Sequence, residues 1–433
     1  MGRIGLLFKS DFYHIIDEVF EYLASQRSTV NGKSGWHQFL ESGKVGNIAT
    51  AQILILHRKY DREISALDSC FTSLKGDRRE IIWKGETVTG WSYLSSGPAV
   101  PCVEPTCWVC LAYQAMQVQE TQQVELDVHT FLKATQVASE HGTSWGFVPW
   151  TEPRVLPTCV AIRVLSKIHD HGLVSSAVRW LLAARDSQNA WGPTATSSAT
   201  LTHTAAAILA LREAGYNPHN PVLSDGYAFL AKGLRNWLVA GQPRTWSEDT
   251  AGFVEIIDIP SCSPFEHRPT RIQYYFNPLL LSAVALCSNS EQFLPYVEAV
   301  VIEALRDWPV TRWKHPFLRG HQHVTSWSIF DHLVALEPFG IKWFGDKKCL
   351  IVYVVSSYGA MSARLGRIGN VVLILRSRYV GFLVRLVICI GLALALAYHF
   401  LGGLELNDVV IPVTLGVISS LAYEYLKSKV FTS

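Results

Sequence analysis

Six tryptophans recur along roughly the first three-quarters of the chain. Trp36, Trp91, Trp145, Trp191, Trp246 and Trp313 stand 55, 54, 46, 55 and 67 residues apart. A period of this order marks a chain built from copies of one supersecondary unit, each unable to bury its apolar face alone. A second signal follows most of them 13 to 15 residues later, a Thr or Ser opening an apolar, small-residue helix. These are Thr50, Thr106, Thr158, Thr204 and Ser326. In the fifth repeat the interval is longer, and the helix opens at Asn277-Pro278.

Pro105, Pro157 and Pro278 suit a first helical position, where the missing N–H costs nothing, and Asn277 is a good N-cap. Ala, Leu and Thr fill these helices so fully that they are apolar nearly all round, which means burial on every side. A different helix precedes the tryptophans. Phe12, Ile15, Ile16, Val19, Phe20 and Leu23 fall on one face at a 3.6-residue period, and 126–139, 174–185, 226–238 and 291–306 read the same way. The unit is an amphipathic outer helix, a Trp/Gly loop and a buried inner helix, repeated six times over roughly residues 10–340. An open row leaves its two end units bare, whereas a ring covers all six. The expectation is an all-α fold, an (α/α)6 toroid of six helical hairpins over 1–340.

The loop Arg185-Asp186-Ser187-Gln188-Asn189-Ala190-Trp191-Gly192, together with His141-Gly142-Thr143-Ser144-Trp145-Gly146 and Gln242-Pro243-Arg244-Thr245-Trp246, resembles the Q/W repeat of terpenoid cyclases and protein prenyltransferases. Glu104-Pro105-Thr106 ahead of an apolar helix resembles the inner-helix start of that superfamily. The resemblance covers most of 10–340. It implies a ring whose central cavity holds an isoprenoid chain or another apolar ligand, possible cyclisation or transfer of that ligand, and no resident cofactor.

Each chemistry of that superfamily has its own residue requirement. Class II cyclases protonate an alkene with an Asp-x-Asp-Asp acid just before the inner-helix Thr, in a dry aromatic cavity that stabilises cations. Two residues before that Thr, the first four repeats carry Ile48, Glu104, Leu156 and Thr202. Only Glu104 is acidic, and Pro105 replaces the assisting Asp. An acid favoured by a helix N-terminus is the simpler explanation. Ser247-Glu248-Asp249-Thr250-Ala251 keeps the tail of the motif, which makes Glu248 and Asp249 weaker candidates, though no small-residue helix follows. Squalene-type cyclases carry two stacked toroids, and this chain has room for one.

Zinc-dependent prenyl transfer needs an Asp, a Cys two residues on and a His in the next repeat. Asp68-Ser69-Cys70 has the spacing in the wrong register, and His315, His321, His323, Asp331 and His332 fit no ligand pattern. The one CxxC, Cys107 to Cys110, lacks the second pair of a tetrahedral site. No metal is therefore expected. The ligand-binding candidates are Trp108, Tyr113, Tyr274, Tyr275, Phe276 and Trp327, with His203 and Asp331 as polar members, each equally readable as core packing.

Residues 379–402 carry Arg385 as their only fixed charge, and 409–426 are broken only by Glu424 near the far end. About 20 residues at 1.5 Å each span the hydrocarbon core, so the pair reads as a transmembrane hairpin. The chain as a whole is only 17% charged, against about 25% in soluble domains. Arg364, Arg367, Arg376 and Arg378 precede the first span and Lys427 and Lys429 follow the second. The positive-inside rule puts both termini and the toroid on the cytoplasmic side, where nine Cys stay mostly reduced. A formal charge of +2 gives no footprint for nucleic acid. The expected partners are the lipid bilayer and an apolar or isoprenoid ligand. The alternative is an inactive toroid that recognises a ligand or a protein partner. Residues 341–378, β-branched and Gly-punctuated, read as a juxtamembrane connector.

Overall fold

The computed structural model describes residues 3–65, 67–93, 100–240, 254–260, 267–273, 277–287, 294–314, 323–339, 350–356 and 359–365. The chain divides into two compact units, Met1–Val372 and Leu373–Ser433, and the described residues all belong to the first. Among them no helix is long and apolar enough to cross a membrane. The expected spans at 379–402 and 409–426 lie outside the described residues, as do Trp246, Glu248, Asp249, Tyr274, Tyr275 and Phe276.

Among the described residues, twelve α-helices alternate between two rings. The outer set is α1 (Lys9–Ser25), α3 (Leu67–Gly76), α5 (Thr121–Thr135), α7 (His171–Ala183), α9 (Pro221–Ala240) and α11 (Leu294–Thr311). The inner set is α2 (Asn47–Lys59), α4 (Val103–Met116), α6 (Val155–Ile168), α8 (Leu201–Glu213), α10 (Pro278–Leu286) and α12 (Ser326–Phe339). Each inner helix packs against the next, and α12 packs against α2, so the row closes. Composition accounts for the two roles. In α1, Phe12, Ile16, Val19, Phe20 and Leu23 are buried while Asp11, Tyr13, His14 and Glu21 are exposed. In α4, eleven consecutive residues from Val103 to Tyr113 are buried. Only a helix covered on all sides can be apolar all round.

The fold is not purely helical, and this corrects the sequence reading. Short antiparallel hairpins stand where Trp/Gly loops were expected: β2 (Ser28–Val30) with β3 (Lys33–Gly35), β4 (Arg79–Trp83) with β5 (Glu86–Gly90), β6 (Val137–Ser139) with β7 (Gly142–Ser144), and β8 (Val254–Pro260) with β9 (His267–Gln273). Asn31-Gly32 and Lys84-Gly85 turn the first two with positive φ at both positions, the backbone that matches strand twist. Nor is 341–378 only a connector. It supplies β10 (Leu350–Ser356) and β11 (Gly359–Leu365), and β10 pairs with β1 (Arg3–Phe8), so the two ends of the ring share one three-stranded sheet.

One hydrogen-bonded device recurs in the first four repeats. The Trp191 indole N–H donates to the Leu181 carbonyl at the end of α7 at 2.7 Å. Its backbone N–H donates to the Thr204 hydroxyl at 3.1 Å, and that hydroxyl returns a bond to the Trp191 carbonyl at 3.2 Å. The Thr200 N–H, at the cap of α8, reaches the same carbonyl at 2.9 Å. The same set joins Trp36 to Leu23, Thr50 and Gly46, Trp91 to Leu74, Thr106 and Cys102, and Trp145 to Leu132, Thr158 and Arg154. It fastens the frayed end of an outer helix to the start of an inner one while meeting otherwise orphaned buried groups. Gly192 directly follows its tryptophan because a Cβ there would meet the Ser198 and Ser197 carbonyl oxygens at 2.4 and 2.5 Å.

Two register expectations change. The Thr residues do not open the inner helices; each stands fourth, and Pro105 and Pro157 stand third. In the sixth repeat Ser328, not Ser326, bonds to its tryptophan's carbonyl, at Trp313. Ser326 instead donates to Gln52 on α2 at 3.1 Å.

Successive repeats are linked by a further bond. The first helical N–H of α4, Val103, donates to Phe147 at 2.9 Å, and that of α6, Val155, to Pro193 at 3.0 Å. Each acceptor lies two residues after the next repeat's tryptophan. The same bond closes the ring, from Ser326 on α12 to Gln38 at 2.9 Å, two residues after Trp36. Trp308 to Glu18 at 3.1 Å and Tyr60 to Leu333 at 2.6 Å add to the seam. Thr204→Val keeps the shape and deletes the hydroxyl, leaving the Trp191 N–H unmet. We expect a loss of about 1–3 kcal/mol, read as a lower urea midpoint, with Thr204→Ser retaining most of the stability.

Candidate functional site

Inside the ring lies a cavity of about 60 Å³, room for about four to six waters at ~10–15 Å³ each. Five inner helices supply its walls, including Glu104 and Trp108 from α4, Cys159 and Arg163 from α6, and Trp327, Phe330 and Asp331 from α12. The sixth, α2, provides no lining residue. Its neighbours meet over it: the Trp108 ring stands edge to face with Trp327 at 5.8 Å and with Phe330 at 5.1 Å between centroids.

Glu104 reaches the cavity through its register. As the second residue of α4 it shares with Leu156 of α6 the position two before the clamping Thr, and Leu156 also lines the cavity. Its side chain is 4% exposed. The Tyr93 hydroxyl donates to its carboxyl at 2.6 Å, and the Trp108 side chain, one turn along, also favours the ionised form. Burial outweighs both and pushes the carboxyl up to about 7.

Asp331 faces the same space from α12 and is 3% exposed. It accepts the backbone N–H of Asn277 at 2.7 Å, and Asn277 in turn caps α10 through Leu279 and Leu280. Burial drives its carboxyl up to about 8, so at neutral pH it is an O–H donor. Arg163 is the one cation among the described lining residues. Its Nε donates to Glu213 at the end of α8 at 2.9 Å, and its guanidinium lies 5.5 Å from the Trp108 centroid. Cys159 completes this wall, its thiol held protonated by burial.

Of the sequence candidates, Glu104, Trp108, Trp327 and Asp331 come together. Tyr113 does not join them. It lies further along α4 and turns to the outer ring, where its ring meets Phe71 edge to face at 4.7 Å and its hydroxyl bonds to the Phe71 carbonyl. His203 is not among the lining residues either. Its ring bonds to Thr200 at 2.7 Å, and burial beside Arg154 lowers its pKa to about 3, so it stays neutral. Among the described residues no three His, Cys, Asp or Glu are placed to hold a metal ion. Cys107 and Cys110 are buried, protonated thiols of α4. Sequence reading missed Tyr93, Arg163 and Phe330. Arg163 carried a signal, as the one charge within the apolar TCVAIRVL run; Tyr93 and Phe330 carried none.

No family model matches the chain, and no curated protein matches it. Among solved structures it is similar to a family 76 glycoside hydrolase from a bovine Bacteroides thetaiotaomicron strain, at 10% identity and a TM-score of 0.51 over 77% of this chain and 78% of that one. Two others are an alpha-mannanase of that glycoside hydrolase family from Bacteroides thetaiotaomicron (13% identity, TM-score 0.46, 76% and 95% covered) and Candida albicans protein geranylgeranyltransferase-I complexed with GGPP (10% identity, TM-score 0.47, 79% and 94% covered). At such identities the first likeness is one of fold alone, in keeping with the closed ring of hairpins.

The two carboxyls set a pH dependence. Both folded pKa values lie above the unfolded ones of 4.5 and 3.8, so the stability they contribute is full below the unfolded values. It is lost as pH rises towards about 7 for Glu104 and about 8 for Asp331. His203 works in the opposite direction, but only below 6.5. Between pH 6.5 and 8 the melting temperature therefore falls, and Glu104→Gln with Asp331→Asn flattens that fall in thermal unfolding.

Proposed function

We propose that this protein is an apolar-ligand-binding toroid whose ligand enters the central cavity by one end and meets the Glu104 and Asp331 carboxyls there. The observation that carries the reading is two buried, protonatable acids in an aromatic-walled space. A structural ring needs no such pair, because burying each polar group unsupported is unfavourable by a few kcal/mol. An isoprenoid end is the ligand that the sequence resemblance suggests. Glu104 is the group suited to give up a proton near neutral pH, in which case the protein cyclises or transfers its ligand; otherwise it holds the ligand unchanged.

The membrane part of the reading rests on the hydropathy of 379–402 and 409–426. We propose that these residues anchor the chain in a bilayer with both termini cytoplasmic. The full chain is then expected in the membrane pellet after an alkaline carbonate wash, and its release into the supernatant would count against anchoring.

Binding is tested with labelled geraniol and squalene on the full chain. Ala206 lines the cavity, and Ala206→Trp fills it, so binding should fall at least tenfold while the helical circular dichroism is kept. Equal binding by this variant removes the cavity from the reading. Product analysis with polyprenyl diphosphates and squalene then decides turnover. Product from wild type that is lost in Glu104→Gln assigns the acid, and product unchanged in both Glu104→Gln and Glu248→Gln discards both.

A further inference from the structure

The charges around the cavity are unbalanced. Two carboxyls face it from α4 and α12, and neither has a cationic partner within the described walls. The one lining cation, Arg163, is already engaged by Glu213 and by the Trp108 ring. Among the described residues, the remaining titratable neighbours are Tyr93, which donates to Glu104, and the thiols Cys102 and Cys107 at the start of α4 and Cys159 on α6; the lining residues of α8 and α10 are Ala206, Leu209 and Leu281. Among the described residues, an anionic head such as a diphosphate would meet two acids and no available cation.

We propose that the cavity takes an apolar ligand ending in a positively charged nitrogen, seated between Glu104 and Asp331 against the rings of Trp327 and Phe330. This rests on the apolar-cavity reading above and names the head group it selects. An ammonium gains from both features at once. Aromatic faces attract cations, and the attraction grows when the site is dry. A buried carboxyl is neutral without a partner and ionises when a cation arrives beside it. Each carboxyl that ionises on binding releases one proton to solvent, and the ligand's own charge is unchanged. Glu104 and Asp331 hold their protons up to about pH 7 and 8, so the binding of a cation strengthens as pH rises through that window. Binding of a neutral head does not.

The test uses the full chain in nonionic detergent with three probes that share one tail: geranylamine, geraniol and geranyl diphosphate. Titration calorimetry at pH 8 should show the amine binding at least tenfold tighter than the alcohol, with the diphosphate weakest. At pH 6 the preference for the amine should shrink, and heats in buffers of different ionisation enthalpy should report proton release. Glu104→Gln with Asp331→Asn should equalise amine and alcohol, with helical circular dichroism reporting that the variant is folded. Equal affinity of amine and alcohol in wild type at both pH values, or a preference for the diphosphate, overturns the proposal and leaves the apolar-cavity reading standing. Failure of all three probes to bind overturns both. The wild-type pH series decides the matter even where the double variant does not fold.

Discussion

The structure depends on a buried tryptophan that bonds in two directions. Its indole N–H meets the last carbonyls of an outer helix, and its backbone meets a Thr hydroxyl one turn into the next inner helix. Helix ends carry unmet N–H and C=O groups that cannot be buried unsupported. An inner helix covered on all sides has no solvent to turn to, so the tryptophan and threonine supply the partners. The ring can therefore be apolar at its centre without leaving its helix ends orphaned.

Closure follows from repetition of the same bond. Val103, Val155 and Ser326 each donate the first helical N–H to a carbonyl two residues past the following tryptophan, and in the last case the following tryptophan is the first in the chain. Three junctions share this geometry, including the one that returns the last repeat to the first, and the β1–β10–β11 sheet joins the two chain ends of the ring. With the scaffold satisfied by its own bonds, the inward positions are released from structural duty. That freedom is what allows Glu104 and Asp331 to remain buried, held by the Tyr93 hydroxyl and the Asn277 N–H respectively.

Much of the scaffold was legible because it obeys periodic rules. The 3.6-residue face of α1 and the all-round apolar inner helices are set by residue type. The hairpin before Trp36 is hard to read from sequence although Asn31-Gly32 is a strong turn signal, because the flanking strands are three residues long and carry little alternation. The inner helices were started two or three residues late, since Pro105 and Pro157 suit a first position but are also tolerated within the first turn, before any intrahelical N–H is required. Spacing alone cannot separate Ser326 from Ser328, two serines within the first turn of one helix.

By itself, the sequence determined that six hairpins exist, which helix of each is inside, and that Glu104 stands at the inner-helix start. Those properties are local, written in periodicity and in spacing from one tryptophan to one threonine. Only the tertiary structure decided which inward residues share a space. It brought Asp331 and Arg163 to Glu104, turned Tyr113 away to Phe71, and left His203 bonded to its own helix cap. The reason is geometric: residues separated by more than two hundred positions become neighbours when a ring closes, and the rotation of each inner helix about its own axis is fixed by packing against both neighbours at once.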